Sequence, residues 1–205
     1  DAASDGNTIY VRAGTYNENI IYIFNDSSPF TIYLIGEDKE TTIIDGAGSG
    51  SVLYFDDESH SNGLSKAKIV ISDFTIQNGN ANGQSIPGVG SNYNGGGLCT
   101  VGVELELSDI IIQNNFAISY GGGLWAMTPG ELSFQEDDYI RLNRVEFYNN
   151  TSFSPGSAIY IYSSGSDQTT DYISDDGLEY IIINDCIVEG NNLNGGDGTV
   201  YIAGY

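Results

Sequence analysis

Apolar and polar residues alternate with a period of two along much of this chain. Residues 69–79 (IVISDFTIQNG) carry two apolar side chains two positions apart, then a polar pair, then two more apolar side chains at the same spacing. The order recurs at 105–115 (LELSDIIIQNN), 140–150 (IRLNRVEFYNN) and 181–191 (IIINDCIVEGN). Such alternation belongs to strands with one buried face, and the polar pair marks a bend between two short strands. A third short strand follows each unit, at 95–100 (GGGLCT), 121–126 (GGGLWA), 156–161 (GSAIYI) and 197–202 (DGTVYI), with an earlier copy at 50–55 (GSVLYF). No helical periodicity of useful length interrupts the pattern. Repeat starts lie 36, 35 and 41 residues apart, and insertions absorb the differences.

One strand-bend-strand unit cannot bury its apolar face alone, whereas stacked copies can, with parallel neighbours ~4.8 Å apart. Stacking predicts inward columns Ile69/Leu105/Ile140/Ile181, Ile71/Leu107/Leu142/Ile183, Phe74/Ile110/Val145/Cys186 and Ile76/Ile112/Phe147/Val188. The third strand adds Leu53/Leu98/Leu124/Ile159/Val200. Every member is apolar or Cys, which a β-sandwich does not require. The expected architecture is an all-β parallel solenoid of three short strands per turn and about five to six turns, a single domain over 1–205. Cys99 falls outward and Cys186 inward on another sheet, too far apart for a disulfide.

Acidity narrows the partners. With 28 Asp and Glu against 6 Lys and Arg, the net charge is −22. Phosphate binding needs a basic surface, so nucleic acid is excluded, and no run of 18 apolar residues offers a membrane span.

The segment 5–20 (DGNTIYVRAGTYNENI), with 34–37 (LIGE) and 42–46 (TIIDG), resembles the opening turns of right-handed parallel β-helices of the pectate-lyase-like superfamily. The Gly-Gly-Gly-Leu copies, paired with Phe147-Tyr-Asn-Asn150, resemble repeats of chlamydial polymorphic outer-membrane proteins. The resemblance implies a right-handed β-helix at the cell surface or outside the cell. It also implies a capping helix ahead of the first turn, of which Ala2 and Ala3 would be the last residues. With Tyr205 falling in mid-turn, 1–205 is expected to be a piece of a longer solenoid. For activity the resemblance is unspecific, since lyases, hydrolases, esterases and non-catalytic surface proteins share the fold.

Four features carry candidate chemistry. A bend column Asp73/Asp109/Arg144/Asp185 places one base among acids, as a lyase site would, but reads better as a salt-bridge ladder. The polygalacturonase signatures are missing, and the one histidine, His60, stands in a polar loop. An outward column on the third strand, Tyr54/Cys99/Trp125/Tyr160/Tyr201, would make Tyr54, Trp125, Tyr160 and Tyr201 an aromatic platform for a sugar. Asn78/Asn114/Asn149 and Asn115/Asn150/Asn191 form turn columns suited to amide ladders. Sequons begin at Asn149 and Asn150, but they sit on that ladder.

Three insertions leave the third strand at one junction, 56–65, 128–138 and 163–178, and would gather acids at one edge. Asp56, Asp57, Glu136, Asp137, Asp138, Asp175 and Asp176 are the candidate ligands there, and calcium is the cofactor they would suit. The segment 79–94 leaves a different corner and is expected to be a mobile loop.

The expected function is a non-catalytic secreted or cell-surface solenoid with a structural, adhesive or carbohydrate-binding role. Its partners would be a carbohydrate or another surface protein. The alternatives are a lyase-like carbohydrate-active enzyme and a filament subunit stacking end to end through open strand edges.

Overall fold

A computed structural model describes residues 4–24, 28–58, 67–86, 89–128, 140–163, 181–194 and 198–204. These residues make six passes through the same set of sheets. The first pass is β1 (Asn7–Val11), β2 (Gly14–Asn17) and β3 (Ile20–Phe24); the second is β4 (Phe30–Gly36), β5 (Thr42–Asp45) and β6 (Leu53–Asp57). The third pass is β7 (Ala67–Gln77), β8 (Asn80–Ala81), a hairpin of β9 (Gln84–Ile86) and β10 (Gly90–Asn92), and β11 (Leu98–Val101). The fourth is β12 (Glu104–Gln113), β13 (Phe116–Ala117) and β14 (Leu124–Met127), and the fifth β15 (Ile140–Tyr148), β16 (Thr151–Ser152) and β17 (Ile159–Ser163). The sixth is β18 (Ile181–Asn184), β19 (Ile187–Glu189), β20 (Asn192–Leu193) and β21 (Val200–Gly204).

Equivalent strands of successive passes pair in parallel and form three sheets. The first sheet runs β1-β4-β7-β12-β15-β18, with β2, β5 and β19 joined to it; the second runs β3-β6-β11-β14-β17-β21; the third runs β8-β13-β16-β20. Ile69 faces Leu105, which faces Ile140, which faces Ile181. Ile76, Ile112, Phe147 and Val188 line up likewise, as do Leu53, Leu98, Leu124, Ile159 and Val200. The expected columns are therefore the observed register.

Burial follows the columns. Ile69, Ile71, Phe74, Ile76, Leu105, Ile110, Ile112, Ile140, Leu142 and Val145 are fully enclosed in one continuous core. Each such side chain contributes roughly 1.5–3 kcal/mol of transfer free energy. In the sixth pass Ile183, Val188 and Val200 keep more than a third of their surface exposed.

The bends rest on left-handed residues. Asp73, Asp109, Arg144 and Asp185 adopt φ of 64°, 54°, 54° and 51°, and Asn78, Asn114 and Asn149 adopt 56°, 55° and 52°. Asp and Asn tolerate this region because their short side chains bond locally. One residue in that conformation turns the strand without breaking its register. At the corner entering the second sheet, Gly121 has φ 65°, and a Cβ there would lie 2.3 Å from the carbonyl oxygen of Leu124.

Beside the left-handed asparagines runs an amide ladder. The Asn191 Oδ1 accepts from the backbone N–H of Asn150 (2.8 Å) and from its Nδ2 (2.9 Å). The Asn150 Oδ1 accepts in the same way from Asn115 (3.1 and 3.0 Å), and the Asn115 Oδ1 accepts from the N–H of Gly79 (2.8 Å). Each amide nitrogen also donates to a carbonyl: Asn115 to Ile76 (3.2 Å), Asn150 to Ile112 (2.8 Å), Asn191 to Phe147 (2.8 Å).

The hairpin departs from expectation. Where 79–94 was expected to be a mobile loop, β9 and β10 pair antiparallel, Ile86 opposite Gly90 and Gln84 opposite Asn92. Ile86 then packs on Tyr54 and Cys99, the outward residues of the second sheet, in a small apolar cluster of its own. Asn92 fastens the hairpin by donating from Nδ2 to Ser51 Oγ (2.7 Å) and to the carbonyl of Asn94 (2.9 Å).

Candidate functional site

The outward column of the second sheet is present in register: Tyr54 beside Cys99, Cys99 beside Trp125, Trp125 beside Tyr160, Tyr160 beside Tyr201. It is not one open platform. Tyr54 and Cys99 lie under the hairpin, 3% and 1% exposed. Burial pushes the Cys99 thiol and the Tyr54 phenol well above their ordinary values, so both stay protonated. The Tyr54 hydroxyl donates to Asp56 Oδ2 at 2.9 Å. Trp125 is half-buried at the hairpin rim.

Beyond Trp125 the aromatics remain accessible. The rings of Tyr160 and Tyr201 stack with centroids 5.1 Å apart and planes 13° from parallel. Tyr120, from the corner preceding β14, packs against Tyr160 at 4.6 Å with planes 39° apart. Tyr160 thus stands between two rings, with its faces turned to its neighbours. Strand spacing dictates the Tyr160–Tyr201 stack, since tyrosines ~4.8 Å apart on adjacent strands meet face to face. Phe116 and Phe153 form an edge-to-face pair on the third sheet, with Phe153 exposed. Sequence reasoning missed Tyr120 because it sits outside the repeated columns.

The acidic edge is also rearranged. Asp56 and Asp57 belong to strand β6 and are buried. The Asp57 carboxylate accepts from the N–H of Ala67 at 3.1 Å, which ties the end of the second pass to the start of the third. These two are therefore not open loop ligands: the strand continues past its apolar residues and carries its first two acids with it. Glu136, Asp137, Asp138, Asp175 and Asp176 lie outside the described residues. Among the described residues no group of three or more His, Cys, Asp or Glu side chains is placed to hold a metal ion.

The first sheet carries the cations. Lys68 reaches Glu104 (2.7 Å) and Glu106 (2.8 Å), and Arg141 lies 3.9 Å from Glu106. Lys39, from the segment joining β4 and β5, spans three passes to Glu146 at 2.6 Å. In the bend column Arg144 forks onto Asp109, Nε to Oδ1 at 2.7 Å and Nη2 to Oδ2 at 2.5 Å. That pair holds the Asp109 carboxyl below its ordinary range, and the Lys39 ammonium does the same for Glu146. An arginine gripped by a carboxylate and held protonated is a poor proton acceptor. Neither cysteine is in a disulfide.

Comparison with protein-family models, curated proteins and solved structures finds no match to this chain. The functional reading therefore rests on the chain's own geometry.

Proposed function

We propose that the six passes wind as a right-handed parallel β-helix belonging to a secreted or cell-surface protein, and that this solenoid is a non-catalytic, adhesive scaffold. Three in-register parallel sheets, with bends at fixed left-handed residues, support the winding. The strip of Tyr120, Tyr160 and Tyr201, with the half-buried Trp125 at its end, carries the adhesive reading. Tyrosine and tryptophan give large, rigid contact area at small conformational cost and dominate protein–protein contact energies. Rings already stacked on one another offer edges and hydroxyls, which suits a protein partner better than the CH faces of a sugar. The high negative charge keeps such scaffolds apart from one another and from acidic surfaces.

The test is retention of protein-coated beads on cell surfaces, wild type against the triple variant Tyr120→Ser, Tyr160→Ser and Tyr201→Ser. Retention falls tenfold or more in the variant, while its circular dichroism is unchanged. Equal retention contradicts the reading. Retention that survives protease treatment of the cells but not glycosidase treatment transfers the ligand to carbohydrate and contradicts it equally.

A further inference from the structure

Two overlapping glycosylation sequons lie in the fifth pass, Asn149-Asn150-Thr151 and Asn150-Thr151-Ser152. The sequence alone sets both on the amide ladder, and the structure separates them. Asn150 is fully buried. Its Nδ2 donates to the Ile112 carbonyl and to Asn191 Oδ1, and its Oδ1 accepts from Asn115. A sugar on that nitrogen breaks the ladder and has no room in the core.

Asn149, one residue earlier, is exposed. Its φ of 52° turns the chain between β15 on the first sheet and β16 on the third. Its N–H donates to the Glu189 carbonyl at 3.2 Å, but its side chain makes no hydrogen bond among the described residues. The next pass gives that side chain room. The turn column Asn78, Asn114, Asn149 continues in Gly190, also left-handed at φ 66°, where a Cβ would lie 2.5 Å from the Asn149 Oδ1. Thr151, which supplies the hydroxyl of the first sequon, is half-buried in β16. The corner faces sideways from the stack between the fourth and sixth passes, so further passes at either end would not cover it.

The adjoining surface is apolar and uncharged. None of the third sheet's residues is charged, and residues 148–166 carry no charge at all. Just past β13 and β16, Ile118 and Phe153 are exposed at 39% and 49%. Elsewhere carboxylates solvate the surface of this acidic molecule. On this sheet a bulky, polar sugar is the remaining means.

We infer that Asn149 is an N-glycosylation site and that Asn150 is not. The inference rests on the proposed secretion of the protein. The step joins Asn149 Nδ2 to C1 of the first sugar of a lipid-linked oligosaccharide pyrophosphate. The bond from C1 to the pyrophosphate oxygen breaks, the lipid pyrophosphate leaves, and the amide proton passes to a base of the transferase. A chain modified at Asn150 instead cannot close its ladder and does not reach the folded, secreted pool.

The experiment expresses the chain behind a secretion leader in mammalian cells and takes the folded protein from the medium. Peptide N-glycosidase in heavy-oxygen water converts each glycosylated Asn to labelled Asp, and peptide fragmentation assigns the position. Site resolution also sets aside a further sequon at Asn25, which lies outside the described residues. The label falls on Asn149 and not on Asn150. Thr151→Ala, which leaves the Asn150 sequon intact, loses the label. Ser152→Ala, which removes only the Asn150 sequon, keeps it, and so does Thr151→Ser, which preserves both. A label on Asn150, no label on either residue of the secreted protein, or a label that survives Thr151→Ala overturns the assignment. Fractionation of the cells of origin tests secretion separately. A natural chain found inside those cells, with the leader-directed chain labelled at Asn149, contradicts the secreted reading and leaves the site assignment standing.

Discussion

Asn149 and Asn150 are identical side chains given different tasks by one step along the backbone. Asn149 holds a left-handed turn at φ 52°, whereas Asn150 is fully buried and bonds to the passes before and after it. Replacing Asn150 by Ala strands the Asn115 N–H and the Ile112 carbonyl in the core, at a cost of about 3 kcal/mol. Asn149→Gly, which keeps the conformation available, changes stability by a few tenths of that. Urea melts of the two variants measure the contrast, and equal losses contradict the division of roles. Residue type made the columns and the ladder readable in the sequence, because apolar side chains and stacked amides keep one role in every repeat. It misled at Asp56 and Asp57, where charge suggested an exposed loop. Register with Val101, Ile23 and Phe24 holds both inside the sheet instead.

At the scale of elements, strand order and register followed from the ungapped repeat, but the β9–β10 hairpin did not. Its strands are three residues each, too short for alternation to show, and its buried apolar anchor, Ile86, stands in a run of polar residues. The dipeptide Pro87-Gly88 was the available turn signal. The consequence for the site is large, since the hairpin removes Tyr54 from the expected platform and leaves Trp125 at its rim. Ile86→Asp places a charge against Tyr54 and Cys99 and lifts the hairpin from the sheet. Cys99 then reacts with a thiol reagent at least tenfold faster than in the wild type, while Cys186 reacts at its original rate. An unchanged Cys99 rate means that something other than the hairpin shields the thiol.

Across the whole molecule, negative charge is in excess, and among the described residues Lys39, Lys68, Arg141 and Arg144 link one pass to another. The Lys39–Glu146 pair spans the second to the fifth pass on the first sheet. Its hydrogen bond to Lys39 lowers the Glu146 carboxyl, and the partner raises the Lys39 ammonium. A depressed acid stabilises above its unfolded value, about pH 4.3, and that contribution is lost as pH falls through the folded value. A raised base stabilises up to its unfolded value, about pH 10.4, and loses that contribution above it. The melting temperature of wild type therefore exceeds that of Lys39→Met by a constant margin between about pH 5 and pH 10. The margin closes on the acid side, and a margin that persists at pH 2 contradicts the pairing.

The stacked parallel register underlies the tyrosine strip, the amide ladder and the ion pairs that link passes. The most direct test is a methyl-labelled NOE spectrum with Ile and Leu assigned. Parallel stacking places Ile71 against Leu107 and Leu107 against Leu142, with Ile69 against Leu105. Cross-peaks joining those pairs are the expected result. Cross-peaks joining Ile69 to Ile112 in their place, as antiparallel pairing of 69–79 with 105–115 would produce, contradict the account.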